Sequence, residues 1–146
     1  MIVVPDKTLW HKTDVQIRFN DIDIAAHVNN AVYQNYFDLA KTHFFDAIFG
    51  EVIDWKIKGL VLVHIEIDYY QPTYLEEQIE VESTMTKIGK KSFDMVQVVR
   101  KKGTKGEESI KCVSRSVMVG YHYRDAYSFD LPDAWIEKIK QYDHTI

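Results

Sequence analysis

One cysteine, three prolines and six glycines in 146 residues exclude several classes of protein at the outset. Cys112 has no partner for an intrachain disulfide, so the chain is not a disulfide-stapled secreted domain, and a reducing, cytoplasmic location is predicted. It lies in an apolar, strand-like segment, where a free thiol reads as a buried and inert side chain. No Gly/Pro/Ser-rich stretch offers a linker, and residues 1–146 read as a single domain with enough chain to bury a core. No segment approaches the ~20 apolar residues that span a bilayer. The start Met1-Ile2-Val3-Val4-Pro5-Asp6 lacks the basic-then-apolar pattern of a secretion signal, so no membrane partner is expected. Positive charge is also in short supply, and a net charge of -4 argues against nucleic acid as a partner. Zinc spacings of the HExxH or Cys/His type are missing. His64, Glu66 and Asp68 share one strand face, as polar residues on half-exposed strands ordinarily do, and neither metal nor cofactor is predicted.

What the chain does have is clear periodicity. From residue 30, Tyr33, Phe37, Ala40, Phe44 and Ile48 recur at helical spacing, and Gly50 follows as a stop. Asn29 or Asn30 can cap the start. Residues 15–19 have strand composition. Val61, Val63, Ile65, Ile67 and Tyr69 alternate with Leu62, His64, Glu66, Asp68 and Tyr70 up to Pro72. Strands are predicted over 79–88, 92–101 and 108–121, joined by connections too short for helical crossovers, and a terminal helix over 132–142. The fold class predicted is α+β: one long central helix packed against a curved antiparallel sheet of about five strands. One helix covers only part of such a sheet, so a second copy of the chain is expected on the remainder, as a homodimer or homotetramer.

The most informative segment is the junction between the first strand and the long helix, Asp21-Ile22-Asp23-Ile24-Ala25-Ala26-His27-Val28-Asn29-Asn30-Ala31-Val32-Tyr33. Carboxylates, an imidazole and amides crowd a helix entrance, where unpaired N–H groups and the positive dipole end favour developing negative charge. Spacing alone leaves Asp23 equally readable as a turn or capping residue. Asp21, two residues earlier, points to the opposite side of an extended segment and reads as structural, a partner for Arg18 or a turn cap.

This junction, with Glu66-Ile67-Asp68-Tyr69 before Pro72, Thr86-Lys87-Ile88-Gly89-Lys90-Lys91-Ser92 at a hairpin, and a closing Leu131-Pro132-Asp133-Ala134-Trp135, resembles the hotdog-fold acyl-CoA thioesterases of the 4-hydroxybenzoyl-CoA thioesterase type. The resemblance runs from about Lys12 to Trp135. It implies a hydrolase of acyl thioesters in which Asp23 is the general base or nucleophile. It also implies that the backbone N–H of Asn30 is the oxyanion donor. The His27-Val28-Asn29-Asn30 form looks like the branch acting on aliphatic acyl groups, in place of the Gly-x-Val-Tyr of other members. The substrate partner implied is acyl-CoA or an acyl carrier protein thioester.

Around these two residues, His27 reads either as a structural donor or as a contact to the substrate carbonyl or attacking water. Asn29 and Tyr33 are candidate substrate contacts whose ordinary roles are capping and pocket wall. Lys87, Lys90 and Lys91, with Arg100, Lys101, Lys102 and Arg115, are candidates for the phosphates of the carrier, against the plain reading of solvated hairpin ends. Asp38, deeper in the helix, is the competing carboxylate and lies off the aromatic stripe. Two rival functions stay open from the sequence: a hotdog enoyl-thioester hydratase or dehydratase, and an acyl-CoA binding module without turnover.

Overall fold

In a computed structural model describing residues 1–146, the strands are β1 (His11–Val15), β2 (Lys58–Tyr69), β3 (Ile79–Ile88), β4 (Ser92–Lys101), β5 (Ile110–His122) and the two-residue β6 (Tyr127–Ser128). They form one antiparallel sheet in the order β1-β3-β4-β5-β2, with β6 added to β5. Helix α1 (Val32–Phe49) lies on one face, and α2 (Asp133–Tyr142) closes the core at its C-terminal end through Trp135 and Ile139. No helix is long and apolar enough to cross a membrane.

Three boundaries differ from the sequence reading. The first strand is His11–Val15, not 15–19, because its ladder partner is the stretch of β3 from Ile79 to Ser83; beyond Val15 the chain leaves the sheet and Phe19 is 80% exposed. Helix α1 begins two residues later than expected. Asn29 closes a turn first: its Oδ1 accepts the Ala31 N–H at 2.9 Å and its C=O accepts the Val32 N–H at 2.9 Å. The alternation along β2 also slips at Val63, where Leu62 pairs with Met118 but His64 pairs with Val117. That bulge leaves Val63 57% exposed and lets Leu60 and Leu62 face one part of the core while Ile67 faces another.

The core has two parts. One gathers Phe44, Phe45, Ile48, Phe49, Met85, Phe93, Met95 and Met118 with α2; the other gathers Tyr33, Tyr36, Phe37, Ala40, Ile79, Val81, Val99 and Cys112. Between them a polar row crosses three strands, with Ser83 opposite Gln97 and Gln97 opposite Ser114. The Gln97 Nε2 donates to the Phe37 carbonyl of α1 and to Ser83 Oγ, both at 3.0 Å, tying helix to sheet. Helix α1 packs over β1 and β3 and leaves the flank above β2 open.

The outer face carries charge in pairs: Lys12–Glu80 at 3.8 Å, Arg100 with Glu82, and Arg115 with Asp94 and Glu66. Lys7 anchors the N-terminal segment to buried Asp143 and to the Met85 carbonyl at 2.9 Å. Burial alone would raise the Asp143 pKa; hydrogen bonds from Lys7 and Thr145 outweigh it and hold the carboxyl below its ordinary range. His11 moves down instead, through burial and then the charge of His43, with its Nδ1 buried and unpartnered.

Both shifts work in the same direction with pH. A depressed imidazole makes the folded state lose stability as pH falls below about 6.5, where the unfolded chain protonates first. A depressed carboxyl adds a further loss below about pH 5. Urea midpoints measured from pH 8 to 3 are therefore expected to be level above 7 and to fall in two stages, with His11→Leu removing the first stage. A single drop confined below pH 4 contradicts this.

Candidate active site

Residues 22–28 form a tight hairpin in front of α1. Ile22 bridges Val28, the Asp23 N–H donates to the His27 carbonyl at 2.9 Å, and the Ala26 N–H donates to the Asp23 carbonyl at 3.0 Å. The Asp23 Oδ1 accepts the Ala25 N–H at 2.9 Å, which leaves the other carboxylate oxygen without a protein partner. The turn closes through Ala26 at φ 63°, a left-handed conformation that costs a residue with a Cβ about 1–2 kcal/mol. Ile24, at the tip, is fully exposed.

Two clips set the hairpin against its neighbours. The Asn29 N–H donates to the Asp21 carbonyl at 2.8 Å, and the Val28 N–H donates to the Thr73 carbonyl at 2.9 Å. Asp21 has the structural role expected of it. Its Oδ2 accepts the Arg18 backbone N–H at 2.9 Å and the Tyr36 hydroxyl at 2.6 Å. Burial, then the bond to Asp21, pushes the Tyr36 pKa far up, so the phenol stays a donor. Tyr33 is likewise raised by burial, and its hydroxyl donates to Thr73 Oγ1 at 2.9 Å.

Thr73 is itself held from below. Lys111, almost buried, donates to the Pro72 carbonyl at 3.0 Å and pairs with Glu77 at 2.9 Å. Burial would raise Glu77, but the Lys111 ammonium and the Tyr74 amide more than offset it and keep the carboxyl low. The connection between β2 and β3 is thus a fixed wall, not a loose loop.

Against that wall lies a cavity of about 250 Å³ lined by His27, Val28, Asn30, Tyr33, Tyr69, Tyr70, Gln71 and Pro72. Asn30 is the residue of interest. Its carbonyl accepts the Tyr69 hydroxyl at 3.0 Å, while its own N–H has no acceptor in the protein. A donor held by its peptide neighbours and left unused at the mouth of a helix suits an oxygen that becomes negative.

Of the residues singled out from sequence, His27, Asn30 and Tyr33 meet in this cavity. His27 packs edge-on against Tyr74 at 5.1 Å. Asp23 stands half-buried on the adjoining hairpin and is not part of the cavity lining; Asn29 is committed to the turn before α1. Lys87, Lys90 and Lys91 sit elsewhere. The Lys90 and Lys91 carbonyls accept from Leu131 and Gly120, beside Phe93, which meets Phe45 near the far end of α1. An 18-residue helix, about 27 Å long, separates that hairpin from Asn30 within one chain. Arg100, Lys102 and Arg115 are engaged in ion pairs. Asp38 is exposed and pairs with Lys41 at 3.2 Å. Tyr69, Thr73, Lys111 and Glu77 were not singled out as site residues, and only the Tyr69 alternation hinted at a position facing the helix.

A long helix on an antiparallel sheet in this strand order, entered through a polar hairpin, is the hotdog fold. The chain belongs to the thioesterase-like superfamily, whose profile matches residues 17–139. It is similar to a thioesterase complexed with coenzyme A and Zn from Thermus thermophilus, with 26% identity over 91% of this chain and 93% of the other, and a TM-score of 0.77. Two further likenesses concern the fold alone. A Staphylococcus aureus protein in complex with CoA has 14% identity over 92% and 84% of the two chains, TM-score 0.79. A 1,4-dihydroxy-2-naphthoyl-CoA thioesterase from Synechocystis has 18% identity over 92% and 98%, TM-score 0.76. A search of curated protein sequences finds no match.

The strained turn gives a direct check on the hairpin. Ala26→Gly is expected to hold or raise stability by about 0.5 kcal/mol, the relief of a left-handed Cβ less the added freedom of the unfolded chain. Ala26→Val is expected to lose about 2 kcal/mol or more, since a β-branched residue tolerates that φ least. Urea unfolding of the three proteins measures both; equal stability of all three would mean the turn relaxes in solution.

Proposed function

We propose that the protein hydrolyses acyl thioesters of coenzyme A, with Asp23 as base or nucleophile and the Asn30 N–H as oxyanion donor. The observation that carries this reading is the unused Asn30 N–H, whose peptide partner, the Asn29 carbonyl, is held by the Val32 N–H at 2.9 Å, on a residue that lines a cavity beside the Asp23 hairpin. Membership of the thioesterase-like superfamily supports the reaction class, and the coenzyme A bound by the Thermus protein supports the carrier.

In the general-base form, Asp23 takes a proton as water oxygen bonds to the acyl carbon. The carbonyl oxygen gains charge against the Asn30 N–H; the C–S bond then breaks and the thiol leaves with a proton. In the nucleophilic form, the carboxylate itself bonds to the acyl carbon, the C–S bond breaks and the thiolate leaves and takes up a proton; water then opens the mixed anhydride to the free acid and returns the Asp23 carboxylate. Both forms need the free carboxylate oxygen that the hairpin leaves to Asp23.

A homodimer or larger homo-oligomer is part of the proposal. β2 is a twelve-residue edge strand with one side unpaired, and Val63 and Tyr69 stand exposed along it. A long edge of this kind favours pairing with a second copy, which would bring the partner's surface to the open flank of α1. A cytoplasmic setting accords with Cys112, fully buried and pushed up to about 12 by burial and then Asp68.

The test is release of free thiol from a panel of acyl-CoAs. Wild type is expected to turn over, and Asp23→Asn to lose at least about a hundredfold in kcat/KM while unfolding at the same urea concentration. Equal rates in the two proteins remove Asp23 from the mechanism. Hydration of crotonyl-CoA without thiol release would make the protein a hydratase instead.

A further inference from the structure

The open flank of α1 runs beside β2 with a separate cavity at each end. At one end Tyr69 bonds Asn30; from there the stripe Asn30, Gln34, Asp38, Lys41, Phe45 runs along α1 as β2 runs from Tyr69 back to Leu60. The far end is a cavity of about 320 Å³ between α1 and the sheet. Leu60 and Met118 form its floor, while Phe45 and Trp55, stacked at 6.1 Å and 10°, form one wall. Trp55 can lie flat there because Gly59 has no Cβ, which would come within 2.5 Å of its ring.

The remaining lining is polar. Lys41 is only 8% exposed, and its ammonium has one partner, Asp38 Oδ1 at 3.2 Å, which leaves donor capacity unused. Thr42 and Asp46 complete the rim. The sheet below the cavity also buries polar groups, which do not line it. Where α1 covers the polar row, Gln97 and Ser83 satisfy each other; toward β2, the Ser114 and Ser116 hydroxyls are 0% and 1% exposed and have no hydrogen-bond partner. Ser116 precedes the cavity-floor residue Met118 by two positions on the same face of β5, opposite Ile65 of β2.

An unsubstituted alkyl chain in this cavity would desolvate the Lys41 ammonium and replace none of its hydrogen bonds. A terminal carboxylate would meet Asp38 and Asp46, carboxylates on the same cavity. A neutral oxygen on the chain avoids both costs. Building on the thioesterase reading, the geometry points to an acyl substrate that carries a hydroxyl or keto oxygen near its distal end, recognised by Lys41. Eleven residues of helix rise span about 16 Å, and a lysine side chain leans back about one turn, so roughly 10 Å separates the thioester from that oxygen. An extended chain of about eight to ten carbons covers this distance.

The test compares kcat/KM for octanoyl-CoA against 8-hydroxyoctanoyl-CoA, and decanoyl-CoA against 10-hydroxydecanoyl-CoA. At least one hydroxylated member is expected to exceed its plain partner by about tenfold or more, and Lys41→Met to bring that ratio down toward one. Ser116→Val, which removes an unpartnered hydroxyl that does not line the cavity, is expected to leave that ratio unchanged and to raise Tm by a few degrees. Hydrolysis of both plain chains with no preference for either hydroxylated one, or a ratio unmoved by Lys41→Met, overturns this inference and leaves the hydrolase reading standing. Release of thiol from none of the four while other acyl-CoAs are hydrolysed overturns this inference alone; release from no acyl-CoA at all overturns both.

Discussion

The clip between Val28 and Thr73 is the interaction on which the site depends. A single backbone hydrogen bond of 2.9 Å joins the hairpin before α1 to the wall between β2 and β3, and the Tyr33–Thr73 and Tyr69–Asn30 bonds repeat the connection on either side. Each of these bonds uses an atom other than the Asn30 N–H. The Asn30 N–H stays unspent while its peptide partner, the Asn29 carbonyl, accepts the Val32 N–H at 2.9 Å, and a held donor of this kind suits the charge that would develop in the proposed reaction. Lys111 and Glu77 tie this wall back to the sheet.

Stability is given up at several points around this arrangement. Ala26 sits in a left-handed turn where glycine would be relaxed, and Ser114 and Ser116 bury hydroxyls without partners. Strain and unsatisfied polar groups persist only where the surrounding structure over-determines them, and they gather near functional surfaces. Here Ala26 lies on the hairpin before α1, and Ser114 and Ser116 lie in the sheet on the side toward β2. The two-part core makes room for the polar row: aromatic packing on either side of Gln97 holds α1 in place, so the flank over β2 can stay open.

Much of the fold was legible in the sequence because the relevant signals are local. The bounds 79–88 and 92–101 match β3 and β4, where Gly89 and neighbouring lysines mark the turn between alternating runs. The long helix was clear from its aromatic stripe and from Gly50. The boundary errors have non-local causes: β1 was shifted because pairing with β3 decides where it ends, and the β2 alternation broke at a bulge set by β5. The junction motif pointed to Asn30, His27 and Tyr33, which share the candidate cavity, and to Asp23, which stands beside it. Tyr69, Thr73 and Lys111 were not readable in advance, since each acts across 39 or more residues of chain through one or two atoms. Lysines at a hairpin look alike in sequence whether they stand at a site or, as with Lys90 and Lys91, at the other end of the helix from it.

Amide hydrogen exchange at Asn30, followed by NMR with and without a non-hydrolysable acyl-CoA in which a methylene replaces the thioester sulfur, tests the central claim most directly. In the free protein this amide should exchange rapidly while that of Val28 is protected; on binding, Asn30 should become protected and shift downfield as it meets the carbonyl oxygen. An Asn30 amide already protected in the free protein, or one indifferent to the bound analogue, would contradict its assignment as the oxyanion donor.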